Sequence, residues 1–187
     1  MTSARNDMIS AAQRLLSVDG LEGTTFATVL TASGSPRGSV YYHFPDGKSQ
    51  MIREAVAGVG SRVETSILEM EAASPMQVVQ DFSAPWRAIL TSSDFEAGCA
   101  VAAVVPGDPQ TSNEIFRGWH EALTEKFRRC GLAQQPAAGL SSTVLAGIEG
   151  ALVLARASRS IEEFDQVVSD LKELALIRTK TGKSVSP

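Results

Sequence analysis

The chain has 187 residues, of which 43% are hydrophobic and 20% charged, with a net charge of −4. That is length for one or two small domains, with enough apolar content for a core, and it excludes a disordered chain. The two cysteines (Cys99, Cys130) and two histidines (His43, His120) show neither a CxxC pair nor metal-ligand spacing, so no metal, cofactor or disulfide framework is expected.

The start Met1 to Asp7 is polar and lacks the basic-then-apolar form of a signal peptide. No apolar run reads as long enough to cross a membrane, so a cytoplasmic chain with no membrane partner is expected. A first helix is predicted from about Thr2 to Val18, with Met8, Ala11, Ala12, Leu15 and Leu16 on one face and Asp19-Gly20 as its stop. A second covers Thr24 to Thr31, capped by Thr24 or Thr25, with Phe26, Val29 and Leu30 as a buried stripe. Gly34 suits a corner that needs positive φ. A third helix then starts with Ser35 as cap and Pro36 at the first position. Val40 and Phe44 form its buried heel, and Arg37, Gly38, Tyr41 and Tyr42 face outward. Two short helices joined by a glycine turn, the second with a polar, aromatic face, describe a helix-turn-helix made to lie in a DNA groove.

Pro45-Asp46-Gly47 breaks the chain, and Asp46 is expected to cap a long helix from about Gly47 to Ala73, with Met51, Ala55, Val59, Val63, Ile67 and Met70 at helical spacing. Such a helix joins a head (residues 1–47) to a second domain (48–187). Ser74-Pro75 restarts the chain into a helix through Val78, Val79, Phe82, Trp86, Ile89 and Leu90, with a kink expected at Pro85 and a polar loop from Thr91 to Glu96. The short apolar segment Gly98 to Val105 ends at Pro106-Gly107-Asp108-Pro109. Gln110 to Cys130 carries a bulky stripe of Ile115, Phe116, Trp119, Leu123 and Phe127, followed by a loop from Gly131 to Gly139. Leu140 to Ala157 and a last helix after the capping box Ser160-Ile161-Glu162-Glu163 both have broad apolar faces. Gly147, Ala151 and Ala155 make a small-residue stripe on the first of them. The tail Thr179 to Pro187 reads as polar and frayed. The fold class is therefore all-α, with about nine helices.

Residues 5–60 resemble the DNA-binding domain of the TetR family of bacterial transcriptional regulators. The resemblance rests on Ile9 to Leu16, Gly20-Leu21-Glu22-Gly23-Thr24-Thr25, Gly38-Ser39-Val40-Tyr41-Tyr42-His43-Phe44 and Lys48. The run from Ser35 to Lys48 is most similar to the LmrA/YxaF-like branch. Gly98-Cys99-Ala100-Val101-Ala102-Ala103-Val104 resembles that branch's Gly-Cys-Pro-(apolar)-Ala-Ala-Val motif, with Ala100 where Pro is common.

The resemblance implies a bacterial, cytoplasmic, non-enzymatic homodimer on a double-stranded, palindromic operator, and a repressor released by a small apolar effector. For DNA it points to Thr25, Ser35, Pro36, Arg37, Gly38, Ser39, Tyr41, Tyr42, His43 and Lys48. Arg37 has the fork that pairs with guanine N7 and O6, and Gly38 allows close approach. Thr25 and Lys48 sit where helix starts favour a phosphate, and His43 reads equally as a phosphate contact or a partly buried structural residue. For an effector it points to Phe82, Trp86, Phe116, Trp119 and His120, a set that also reads as ordinary core. For the dimer it points to Leu145, Ile148, Ala151, Leu152, Ala155, Val167, Val168 and Leu171. Residues 1–60 carry five basic and five acidic groups, so the acidic excess lies elsewhere. The alternatives are a helical dimer acting through protein contacts, and a TetR-like activator. An enzyme built on Cys99 is disfavoured, since its apolar context holds no charge to activate a thiolate.

Overall fold

The computed structural model describes residues 3–183. The expected start at Thr2 and the end of the tail, residues 184–187, lie outside them. The elements are α1 (Ser3–Gly23), α2 (Phe26–Ser33), a 3-10 turn (Arg37–Ser39) leading into α3 (Val40–His43), α4 (Lys48–Glu69), α5 (Pro75–Ser92), a second 3-10 turn (Ala102–Val104), α6 (Pro109–Arg129), α7 (Gln134–Ser158) and α8 (Glu162–Lys183). This is the all-α class expected, with eight α-helices among the described residues.

The boundaries differ where local chemistry outweighs periodicity. The helical backbone breaks at Gly20 (φ 70°), as its sequence suggests, but one further turn carries α1 to Gly23. α4 ends at Glu69, short of Ala73, and Lys126 Nζ holds its end by donating to the carbonyls of Leu68 and Met70 at 2.6 and 2.7 Å. α5 begins on the Ser74 cap, whose hydroxyl accepts from the Gln77 N–H, and runs through Pro85 to Ser92 as one helix, taking in the start of the expected loop. α7 starts at Gln134 rather than Leu140. Pro136 falls in its first turn, where the missing N–H has no helical partner to lose. The capping box expected at Ser160 does not close: its hydroxyl accepts from the Glu162 N–H, and the Glu163 carboxylate accepts from Ser158 instead. The tail is helical to Lys183.

Two compact units emerge. The first is the chain up to Arg62 together with Cys99–Ile115; the second is Val63–Gly98 with the chain from Phe116 onward. The core of the first unit reaches past residue 47, where the sequence reading divides the chain. Met8, Ala11, Ala12 and Leu16 of α1, Val29, Val40 and Phe44 pack against Met51, Ile52, Ala55 and Val56 of α4. Ala100 and Val104, about fifty residues further on, complete the same cluster. Ser112 fixes their segment by donating its hydroxyl to the Val101 carbonyl at 3.0 Å.

In the second unit α5 and α7 pack with α8. Arg87 of α5 grips Asp165 of α8 with two hydrogen bonds of 2.8 and 2.9 Å. That pairing, chiefly its hydrogen bond, holds the Asp165 carboxyl below its ordinary range. Helix α7 corrects another expectation: it is long and apolar enough to cross a membrane by length and composition. Its Ala, Val, Leu and Ile residues, with few charges among them, keep mean hydropathy high.

Candidate nucleic-acid interface

The helix-turn-helix is built as its sequence suggests at the first helix and differently at the second. Thr25 caps α2 reciprocally with Thr28: the Thr25 hydroxyl accepts from the Thr28 N–H at 3.1 Å, and the Thr28 hydroxyl from the Thr25 N–H at 2.8 Å. Gly34 closes the helix in the left-handed conformation (φ 65°), turning the chain toward the next element. That element does not start on a Ser35 cap. Pro36 stands at the extended position before the 3-10 turn, and no side chain caps it. The Ser35 N–H points back to the Ser33 hydroxyl at 3.3 Å, while Ser39 donates its hydroxyl to the Pro36 carbonyl at 2.7 Å. The recognition element is thus one 3-10 turn running into one α-turn, residues 37 to 43.

Its two faces separate cleanly. Val40 and Phe44 are fully buried in the head core. Pro36, Arg37 and Gly38 are exposed, and a side chain built at Gly38 would meet nothing within 4 Å. Tyr41 and Tyr42 are 70% and 77% exposed, a large aromatic area to leave in water. His43 is half-buried with its ring edge-on to Tyr42 at 5.2 Å. Arg5 braces the heel from behind, over the Phe44 ring and paired with Glu54. Lys48 opens α4 and donates from Nζ to the Leu21 carbonyl at 2.9 Å, which leaves two ammonium hydrogens for a phosphate.

Phe26 packs against the edge of the head core. Its stripe suggests core, yet it is only half-buried, with its ring 5.6 Å from that of Tyr41 at 77°. Leu30 is also half-buried, leaving Val29 as the fully buried residue of α2. The signal was its place one residue after the Thr25 cap, at a helix start where polar residues are usual.

The other sets of expected residues lie in the second unit. Phe82, Trp86, Trp119 and half-buried Phe116 come together as a chain of ring contacts at 6.4, 6.1 and 5.3 Å. His120 lies off that chain, with Nε2 3.0 Å from the Ala138 carbonyl, a tie between α6 and α7. Of the residues expected at a dimer interface, Ile148, Ala151, Leu152, Ala155, Val168 and Leu171 are buried in the protomer's own core, and Leu145 and Val167 are half-buried. Gly147 faces Leu171 and Val167 of α8. The apolar residues that α7 and α8 leave outside are Val153, Leu154, Leu176 and Ile177.

A buried heel, a tight glycine turn and an exposed Arg-Gly-Tyr-Tyr face define a helix-turn-helix DNA-binding protein. Comparison with known proteins makes this specific. Residues 8–55 match the model for bacterial regulatory proteins of the tetR family, and residues 75–170 match the C-terminal domain of LmrA/YxaF-like transcriptional regulators. The chain belongs to the TetR family of transcriptional regulators. An HTH-type transcriptional regulator of Mycobacterium tuberculosis is 32% identical over 94% of this chain and 96% of its own. The HTH-type transcriptional regulator LmrA of Bacillus subtilis is 28% identical over 91% of this chain and 96% of its own. Among solved structures, a TetR regulator from Legionella pneumophila shares the fold with a TM-score of 0.81 at 18% identity, covering 94% of this chain and 98% of that one.

Proposed function

We propose that the protein is a homodimeric repressor of the bacterial cytoplasm that leaves a near-palindromic operator when a small apolar effector binds its second unit. The observation that carries the DNA half of this reading is the recognition element: Arg37, Gly38, Tyr41 and Tyr42 outward, Val40 and Phe44 fully buried beneath. Arg37 reads guanine through its fork, and Gly38 lets the backbone come close. Tyr41, Tyr42, His43, Ser35, Ser39, Thr25 and Lys48 hold the phosphates or the groove wall and set the register.

The dimer reading is supported by α7. Ala146, Gly150, Val153, Leu154 and Ala157 are all exposed and fall on one stripe, and Leu176 and Ile177 add apolar surface on α8. Only 39% of its most apolar window is buried within the protomer. A helix apolar on both faces needs cover on both, and a second copy supplies it. Two heads then meet two half-sites, and operator symmetry follows protein symmetry. The aromatic group of Phe82, Trp86, Phe116 and Trp119, with His120, is the proposed effector region. An effector acts there only through its differential affinity for the operator-bound and free conformers.

The test is binding to a fluorescent duplex from the region upstream of the protein's own gene, at two salt concentrations, with wild type and Arg37→Ala. The expected result is tight, salt-sensitive binding that Arg37→Ala weakens by about 10-fold or more. Equal binding of wild type and variant to that duplex and to random DNA would sink the reading. Leu154→Glu should also convert a dimer into a monomer in sedimentation velocity.

A further inference from the structure

Beside the recognition element lies a cleft of about 490 Å³ between α2 and residues 35–41. Its apolar lining is Phe26, Ala27, Leu30 and Val40, and Arg37 and Tyr41 are its most polar large members. Ala27, Arg37 and Tyr41 are exposed, Phe26 and Leu30 half-buried, and Val40 buried. A cleft that sets Phe26, Ala27, Leu30 and Val40 beside Thr31, Ser35, Arg37 and Tyr41, on the element that faces DNA, suits a base edge that presents an apolar group next to polar ones. The apolar group that base edges present in the major groove is the C5-methyl of thymine. Arg37, alongside, fits the N7 and O6 of a neighbouring guanine.

We propose that this cleft is a base-reading subsite that takes the C5-methyl edge of one thymine in each operator half-site, next to the guanine read by Arg37. The inference rests on the DNA-binding reading above and deepens it. Phe26 supplies the contact face and also positions Tyr41. The two rings meet edge to face at 5.6 Å and 77°, a contact that favours this orientation of Tyr41. Thr25 caps α2 one residue earlier, at a helix start that favours a phosphate. Specificity is thereby shared between α2 and the recognition element.

The test begins with an operator selected from random duplexes by the full-length protein. Each thymine is then replaced by deoxyuridine, which lacks only the methyl. One thymine per half-site, beside the guanine whose loss mimics Arg37→Ala, should show about a fourfold loss of affinity on replacement, and about fifteenfold when both half-sites are changed. Phe26→Ala should bind the thymine and uracil duplexes equally, with an unchanged dependence on salt. Phe26→Leu, which keeps an apolar side chain and guards against a folding defect, should retain part of the discrimination. Uracil tolerated at every thymine of a selected operator overturns the subsite and leaves the regulator reading standing. Full thymine preference in a folded Phe26→Ala protein overturns it equally. A selection that enriches no sequence overturns the regulator reading and the subsite with it.

Discussion

Val104 stands far from the helix-turn-helix in sequence and inside it in space. It is fully buried in one cluster with Met8, Leu16, Met51 and Ile52. Val104→Ala removes two methyl groups, each worth about 0.8 kcal/mol of burial. A residual cavity of roughly 50 Å³ adds about 1.2 kcal/mol where the neighbours do not relax. The head should therefore lose about 2–3 kcal/mol, a factor of roughly 30–150 in its opening equilibrium. Amide exchange followed by mass spectrometry reads this directly. Peptides from residues 8–16 and 51–56 should exchange faster by that factor in the variant, and operator affinity should fall with them. Val153→Ala, on the exposed side of α7, serves as the control and should leave these peptides unchanged. If Val104→Ala speeds exchange only in α5, α7 and α8 and spares α1 and the start of α4, the assignment of residues 99–115 to the head is wrong.

Lys126 is buried with its ammonium on two carbonyls at the end of α4, so Lys126→Met leaves two acceptors unpaired. Even after relief of the buried charge, about 2–4 kcal/mol should be lost, a melting point lower by roughly 5–15 °C in calorimetry. An unchanged melting point would show that water replaces the ammonium at no penalty. Asp165 has its folded-state pKa lowered by Arg87, so its contribution is present above the ordinary carboxylate value of about 3.9 and is lost as pH falls through the lowered one. Both partners are about half-exposed, so the effect is small. Urea unfolding of wild type and Asp165→Asn should differ at pH 7 and converge as pH falls below the ordinary carboxylate range; parallel curves throughout would remove the ion pair from the acid response. Gly150→Ala meets nothing within 4 Å in the protomer and should strengthen α7 by about 1 kcal/mol. On the proposed dimer face it should instead raise the dimer dissociation constant, and an unchanged constant would place the contact elsewhere.

Much of the head was legible in the sequence because its signals are local. The Thr25 cap, the Gly34 corner and the Val40 and Phe44 heel each depend on a few neighbouring residues, and each lies where its chemistry suggests. What was not legible depends on partners distant in sequence. Phe26 sits on a stripe with Val29 and Leu30, and periodicity alone sends all three inward. Only the position of Tyr41 shows that Phe26 has an aromatic neighbour at the edge of the core. Ala100 and Val104 likewise look like a short apolar loop of the second domain. Nothing in the spacing says that α1 and α4 leave a gap for them.

Helix α7 marks the limit of periodicity as an argument. An amphipathic helix has one apolar stripe, and its inward face can be read from spacing alone. Here the stripe Val144, Ile148, Ala151, Leu152 and Ala155 is buried, while Ala146, Gly150, Val153, Leu154 and Ala157 line the opposite side in water. Both stripes repeat at three and four residues, and both mix small with bulky side chains. The first, with the small residues Ala151 and Ala155, packs within the protomer, and Gly147 beside it meets Leu171 and Val167 of the same chain. The ambiguity is itself informative. A DNA-binding regulator that keeps a second apolar stripe on its surface exposes an area that favours association over solubility. The stripe left over after the protomer has packed its core is the one available to a second copy, so the dimer proposal rests on Gly150 and Leu154 rather than on Ala151 and Leu152.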